Sequence, residues 1–167
     1  MRPEQAITLA RYNVWMNEKL FEVCDGLSDS ERKTDRGLFF GSIHGSLNHL
    51  LLADKVWLGR FLGEPFEVTG LDQELFSDFD GLRRARAETD RLILDWTAGL
   101  TEAELAGELH YTSISRPAQK SCPLWIAVTH LFNHQTHHRG QITAALSQLG
   151  KDYGVTDLIA LPASPEV

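Results

Sequence analysis

The sequence predicts an all-α protein, a four-helix bundle that forms one domain over residues 1–167. Two observations lead to this class. Four long segments repeat apolar residues at helical spacing, and glycine or proline interrupts the chain between them. The length of 167 residues, with 43% hydrophobic and 23% charged residues, is typical of a single globular domain with one core.

The first two helices have clear start and stop signals. The first is predicted over about Pro3–Cys24, because proline suits the first helical turn and Asp25-Gly26 follows as a stop. The second is predicted over about Gly41–Leu62. It ends at Gly63-Glu64-Pro65, because proline lacks an amide hydrogen and disfavours helix in the residue before it.

The other two long helices are predicted over about Phe76–Thr97 and Pro123–Leu149. A short extra helix at Thr101–Leu109 is expected because its first four residues, Thr-Glu-Ala-Glu, resemble a capping box. The stretch His110–Ser121 alternates weakly between apolar and polar residues and contains Pro117, so it is interpreted as a loop or a small hairpin.

Composition and charge exclude several classes of function. The net charge of −7 and the pI near 5.4 oppose binding to a phosphate backbone, and the densest basic run is only Arg83-Arg84-Ala85-Arg86. We therefore expect no nucleic-acid partner. No uninterrupted apolar run is long enough for a membrane span, and the first twenty residues are too polar for a signal peptide, so a cytoplasmic protein without a membrane partner is expected.

The fourth helix carries the residues that point to chemistry. On a helical wheel His134 and His138 fall on the same inward arc, and two imidazoles four residues apart on one face can chelate one ion. The zinc-protease pattern HExxH is not met, because Gln135 stands where that motif has its glutamate. His130 cannot bind the same ion as His138, because about 12 Å of helix rise separates them.

A third ligand must come from another helix, and His49 on the second helix is the candidate. It lies on the shoulder of the buried face, with Gly45, Ser46 and Ala53 one turn away, and these small side chains leave room for a ligand. His44 falls on the wetter side of the same wheel. Three imidazoles leave further coordination positions free, which is typical of a catalytic site and not of a structural one. Core histidines satisfied by hydrogen bonds are the competing interpretation.

Three segments carry a family resemblance: Tyr12–Asn17 in the first helix, Asn48–Trp57 in the second, and Asn133–Gln141, with its HxxHHRGQ element, in the fourth. In these the sequence resembles the DinB/YfiT-like family across nearly the whole chain. The resemblance implies a four-helix bundle and makes His49, His134 and His138 a metal-binding triad. Members typically carry nickel or zinc, and some transfer bacillithiol, mycothiol or glutathione, whereas many have no established activity. The resemblance also implies a homodimer.

Other residues of these segments allow weaker inferences. Asp54 lies inside an apolar arc and should be paired, with Arg139 or the Tyr12 hydroxyl as partner, in either a structural or a catalytic role. Gly140 is expected to let a neighbouring helix approach closely. Gln141 or His130 is expected to orient a metal-ligating histidine by a hydrogen bond to its other ring nitrogen. His137 is expected to point to either the mouth of the site or solvent. Cys24 and Cys122 are expected to be reduced thiols, and Cys122 is expected to lie outside the site. The four tryptophans are expected to belong to the core or to an interface: Trp15, Trp57, Trp96 and Trp125.

The leading functional hypothesis is a metal-dependent enzyme, a thiol S-transferase in which the ion and a low-molecular-weight thiol act on a small-molecule substrate. Two alternatives stay open: metal-dependent hydrolysis, for which no general base is evident, and a metal-binding or stress-response homodimer without turnover.

Overall fold

In the computed structural model the long helices are α1 (Pro3–Asp25), α3 (Ile43–Leu62), α4 (Phe79–Ala98) and α6 (Leu124–Gln148). Around the bundle their order is α1, α4, α3, α6, and α6 closes the ring against α1. The smaller elements are α2 (Asp29–Lys33), α5 (Glu102–Ala106), the strands β1 (Glu108–Thr112) and β2 (Gln119–Pro123), and a 3-10 turn at Leu158–Ala160. The structure describes residues 1–114 and 118–163. The four-helix bundle prediction is confirmed.

The helix ends explain where the predicted bounds shift. Gly41 adopts a φ of 72°, a left-handed conformation that cannot continue a helix, so α3 begins two residues later with the Ser42 hydroxyl accepting from the Gly45 amide. The Asp78 carboxylate caps α4 in the same way by accepting from the Gly81 amide at 2.6 Å. Helix α4 therefore begins three residues after its predicted start.

The region between α4 and α6 holds a short helix and a hairpin. The capping box at Thr101 and Glu104 is present, but α5 ends at Ala106 and the next residues enter β1. Strands β1 and β2 pair antiparallel, with Leu109 opposite Cys122 and Tyr111 opposite Lys120. Of the two interpretations of this stretch, hairpin is therefore the correct one. Pro117 lies outside the described residues.

The connector between α1 and α3 and the C-terminal tail lie outside the predicted helices. Ser28 and Glu31 form a capping box that starts the short helix α2, which was not predicted. Leu158 and Ile159 in the tail do not pack against the core, since they are 43% and 97% exposed. Backbone carbonyls hold this segment along α1 instead, where the Tyr12 hydroxyl donates to the Thr156 carbonyl at 2.5 Å.

The core consists of two apolar clusters separated by a layer of polar side chains. One cluster includes Leu20, Leu47, Leu82 and Ile142, and the other includes Ala10, Leu58, Ile93 and Leu131. Between them each long helix contributes buried polar residues: Asn13, Asn17, Asp54, Arg86, Asp90, Gln135 and Arg139. We call these seven residues the polar layer. No described helix is both long and apolar enough to cross a membrane.

Candidate metal centre

Helices α3 and α6 bring three histidine side chains together beside the polar layer. One nitrogen from each of His49, His134 and His138 lies within 4.8 Å of the other two. We call these residues the histidine triad. The Nε2 atoms of His49 and His134 are 3.2 Å apart, and two nitrogens that bind one tetrahedral ion at 2.0–2.1 Å would be about 3.3 Å apart. The three side chains could therefore hold a metal ion.

Hydrogen bonds behind the rings orient two of the three imidazoles. Nδ1 of His49 lies 2.8 Å from the carbonyl oxygen of Leu71, so its N–H donates there and the Nε2 lone pair stays free. Nδ1 of His138 lies 3.2 Å from Oε1 of Gln141 and leaves Nε2 free in the same way. Both arrangements are typical of metal-ligating histidines. Two facing lone pairs repel each other, so the close approach of His49 to His134 requires a proton or a cation between their nitrogens.

The histidine triad is held neutral by its surroundings. Burial lowers the pKa of His49 to about 4, although the bond to the Leu71 carbonyl opposes the shift. Burial, together with the neighbouring His138 and His49, lowers the pKa of His134 to about 3, and burial also lowers the pKa of His138. A neutral imidazole is the form that binds metal. The donor set is therefore prepared for a cation at neutral pH.

Phe40 covers one side of the histidine triad. Its ring stacks on His49 with centroids 3.7 Å apart and planes inclined by 17°. The loop can approach this closely because Gly45 has no side chain: a Cβ there would lie 2.3 Å from the Phe40 carbonyl oxygen. The space next to Gly45 is thus filled by backbone and is not the expected room for a ligand, whereas Ala53 does border open space.

That open space is a cavity of about 400 Å³ on the other side of the histidine triad. We call it the aromatic cavity. Its wall includes His49, His134, Trp57, Tyr111, His130 and Cys122. Trp57 packs against the apolar core, as expected, and also borders this cavity. The expectation for Cys122 is wrong, because Cys122 borders the cavity too. The cavity extends from His134 toward the N-terminus of α6, where β2 adds Cys122 despite the long helix rise between the two residues.

The other predicted residues lie at different distances from this centre. Gln141 contacts the triad through His138, and its amide nitrogen also donates to Nε2 of the exposed His137 at 3.2 Å. His130 is outside the triad, and its ring packs edge-on to Trp57 at 5.0 Å. Gly140 admits no neighbouring helix, since nothing lies within 4 Å of a Cβ built there.

His44 and Asp54 are placed differently from the predictions. His44 is buried, not on the wetter side, because the loop after α3 covers it and its Nε2 lies 2.9 Å from the Phe76 carbonyl oxygen. Asp54 is paired as expected, but with Arg86 at 2.8 Å, and not with Arg139 or Tyr12. Burial raises the pKa of Asp54 to about 6, against the opposing effect of Arg86.

The polar layer is the feature that sequence reasoning missed. Arg86 also pairs with Asp90 at 2.7 Å, Asn17 donates to Asp90 at 3.0 Å, and Arg139 donates to Gln135 at 3.3 Å and to Asn13. Gln135 and Arg139 each follow a triad histidine, so one face of α6 offers the triad while the adjacent face is fixed in this layer. The signal was available, because polar residues recur at i, i+4 in three helices at core positions.

Comparison with known proteins agrees with this architecture. The model of the DinB family matches residues 1–166. The chain belongs to the DinB family. It is 27% identical over 161 residues to Protein DinB of Bacillus subtilis (strain 168), covering 91% of this chain and 90% of that protein. A crystal structure of a DinB-like protein from Bacillus cereus ATCC 10987 superposes with a TM-score of 0.58 at 17% identity, covering 84% of this chain and 89% of the other, and supports the fold.

Proposed function

We propose that this DinB-family protein is a metal-dependent thiol S-transferase whose histidine triad binds one zinc or nickel ion through Nε2 of His49, His134 and His138. The observation that carries the proposal is the convergence of three neutral imidazoles, of which His49 and His134 line the aromatic cavity. A core histidine needs only a hydrogen-bond partner, but His49 already has the Leu71 carbonyl for its N–H. A ring nitrogen that also faces another ring nitrogen at 3.2 Å is better explained by a shared ligand.

The chemistry proposed is transfer of a low-molecular-weight thiol to a small electrophile. When bound, the ion would lower the pKa of a coordinated thiol and so favour the thiolate at neutral pH. The thiol gives up its proton to solvent, a sulfur lone pair forms the bond to the electrophilic carbon, and the leaving group departs with the electron pair of its own broken bond to that carbon. The chain holds the imidazoles in place, and the aromatic cavity surrounds the reacting molecules with apolar walls.

The geometry favours thiol transfer over hydrolysis. Hydrolysis needs a general base near the ion. Asp72 lines an opening between Phe40 and the histidine triad. Its carboxylate, however, faces Gly70, because one carboxylate oxygen lies 2.8 Å from the position that a Cβ on Gly70 would occupy. A small thiol brings its own nucleophile and needs no such base. If hydrolysis were the function, Asp72→Asn would abolish ester or amide turnover by the zinc-loaded protein.

The test combines a thiol and an electrophile with metal-loaded protein. Glutathione and monochlorobimane serve as probes, and the rate of conjugate formation is compared for wild type, His49→Ala and His138→Ala. The proposal predicts metal-dependent turnover that both variants lose, while the control His137→Ala, at an exposed position of α6, keeps it. Stoichiometric metal without turnover for any thiol would favour the alternative, a metal-binding module. The expected homodimer would be checked by sedimentation, and a cytoplasmic location remains a prediction.

A further inference from the structure

Arg60 borders the aromatic cavity in an unusual setting. Its guanidinium packs against two neighbouring rings, 4.4 Å from the centroid of Trp57 and 4.7 Å from that of Tyr111. One terminal nitrogen donates to the Thr112 carbonyl at 3.0 Å. These contacts from α3 and β1 fix the plane of the guanidinium, so its remaining N–H groups have a defined direction before any ligand arrives.

Within the part of the chain that the structure describes, the positive charge of Arg60 has no partner of opposite sign. Among residues 1–114 and 118–163, no carboxylate lies within ion-pair distance of it. Burial lowers the pKa of Arg60, which indicates that solvent compensates its charge only in part. A half-buried cation without a carboxylate, on the wall of a cavity, is a candidate for recognising an anion.

Arg60 and the histidine triad belong to the same elongated site. Arg60 follows His49 by eleven residues on α3, which places the two on nearly the same side of the helix with about 16 Å of rise between them. A row of rings connects them: Trp57 lies 5.0 Å from His130, and His130 lies 5.8 Å from His134. A second cavity of about 500 Å³ meets the aromatic cavity at Arg60 and enlarges the end that lies away from the histidine triad.

From this arrangement we propose that Arg60 binds the carboxylate of an elongated small molecule whose other end lies at the histidine triad. A carboxylate fits better than a phosphate, because the described wall offers one fixed positive charge and a planar edge of N–H donors. The apolar middle of the molecule would lie along Trp57. This inference rests on the proposed function in placing the reacting end of the ligand at the triad.

The experiment uses thiols of graded length that end in either an acid or an alcohol. Cobalt-loaded protein is titrated with 3-mercaptopropionate, 6-mercaptohexanoate and 11-mercaptoundecanoate, and with the corresponding mercaptoalcohols, and the thiolate-to-cobalt absorption band is followed. The longest acid should bind about tenfold more tightly than its alcohol, the effect of one charge-assisted hydrogen bond. The shortest pair should bind equally, because the short acid cannot reach Arg60.

Matched variants assign the effect to this arginine. Arg60→Gln should remove the preference for the long acid while leaving the affinity of the long alcohol unchanged, which also shows that the variant is folded. Arg60→Lys should keep part of the preference. Arg84→Gln changes the same charge at an exposed position of α4 and should behave as wild type. Equal affinity of acid and alcohol at every length, with a clear thiolate band, would overturn the Arg60 proposal and leave the proposed function intact.

A second measurement needs neither metal nor thiol. Calorimetric titration of metal-free protein with 4-phenylbutyrate and with 4-phenylbutanol should give about tenfold tighter binding of the acid in wild type and none of that advantage in Arg60→Gln. If no thiol perturbs the cobalt spectrum, the proposed function fails, and this titration still decides the role of Arg60. Equal affinity for the two ligands, or no binding of the acid, would refute it.

Discussion

Replacing Arg86 with methionine tests the polar layer that positions α6. The Arg86 side chain is 3% exposed and pairs with Asp54 at 2.8 Å and Asp90 at 2.7 Å, and the side chains of these two acids are 0% and 4% exposed. Methionine keeps most of the buried volume but leaves both acids without their main cation. Loss of one partner from a buried ion pair typically destabilises a protein by about 3–5 kcal/mol, and we expect Arg86→Met to lower the free energy of unfolding by this amount at pH 7.

The destabilisation caused by Arg86→Met should depend on pH in a defined direction. Burial raises the pKa of Asp54 from 3.8 to about 6 in the folded protein. Proton binding by Asp54 therefore contributes fully to the free energy of unfolding below pH 3.8, and this contribution is lost as the pH rises through about 6. Without Arg86, which opposes the shift, the pKa should rise further. The destabilisation by Arg86→Met should therefore be smaller at pH 5 than at pH 7.

Urea unfolding of wild type and variant at the two pH values measures both effects. Arg83→Met is the matched control on the same helix, because Arg83 is 49% exposed and its pair with Asp25 is 3.4 Å long. That change should alter the free energy of unfolding by less than about 1 kcal/mol. A loss below about 1 kcal/mol for Arg86→Met, or a loss that grows as the pH falls, would show that Arg86 does not stabilise the two buried acids.

The remaining predictions concern the metal centre and the thiols. Gln141→Leu removes the oxygen that accepts a hydrogen bond from Nδ1 of His138 and should weaken zinc binding about 10–100-fold, whereas Gln141→Glu keeps an acceptor and should not. Competition with a chromophoric chelator measures the zinc affinity of both variants. Equal affinities would contradict the orienting role of Gln141. Burial holds two triad imidazoles at pKa values of about 4 and about 3 in the metal-free protein. Zinc affinity should therefore fall less than about tenfold from pH 7 to 5.5, where three imidazoles of pKa 6.5 would lose about 600-fold. A loss of that larger size would show that the site does not keep its histidines neutral. Burial raises the pKa of Cys24 to about 12, so only Cys122, half-buried at the cavity, should react quickly with Ellman's reagent in the folded protein, and Cys122→Ser should remove that fast phase. A fast phase that persists would assign it to Cys24.

The helices could be predicted from the sequence because their signals are local. Apolar periodicity, proline at the start of α1 and glycine after α3 depend on the nearest turn of chain, and the structure confirms them to within about three residues at most ends. The hairpin was left undecided because alternation over five residues is weak. Helix α2 was missed because its five residues carry no apolar periodicity and only the Ser28 capping box marks it.

Side-chain surroundings were harder to predict where a second element covers a helix. A helical wheel assigns one buried face, but α3 is covered on a further side by the loop that carries Phe76, and His44 is therefore buried. The partner of Asp54 required knowing that α4 lies between α1 and α3, which periodicity does not reveal. The histidine triad needed less information, since His134 and His138 share one helix and only the facing position of His49 depends on packing.

Metal content shows directly whether the histidine triad binds an ion. Untagged protein is reconstituted with zinc or nickel, desalted and analysed by elemental mass spectrometry beside His49→Ala, His134→Ala and His138→Ala, with His130→Ala and His137→Ala as controls. We predict one equivalent of metal in wild type and in the controls, and loss of the metal in each triad variant. Absence of metal from the reconstituted wild type, or its retention when triad histidines are replaced, would contradict the account.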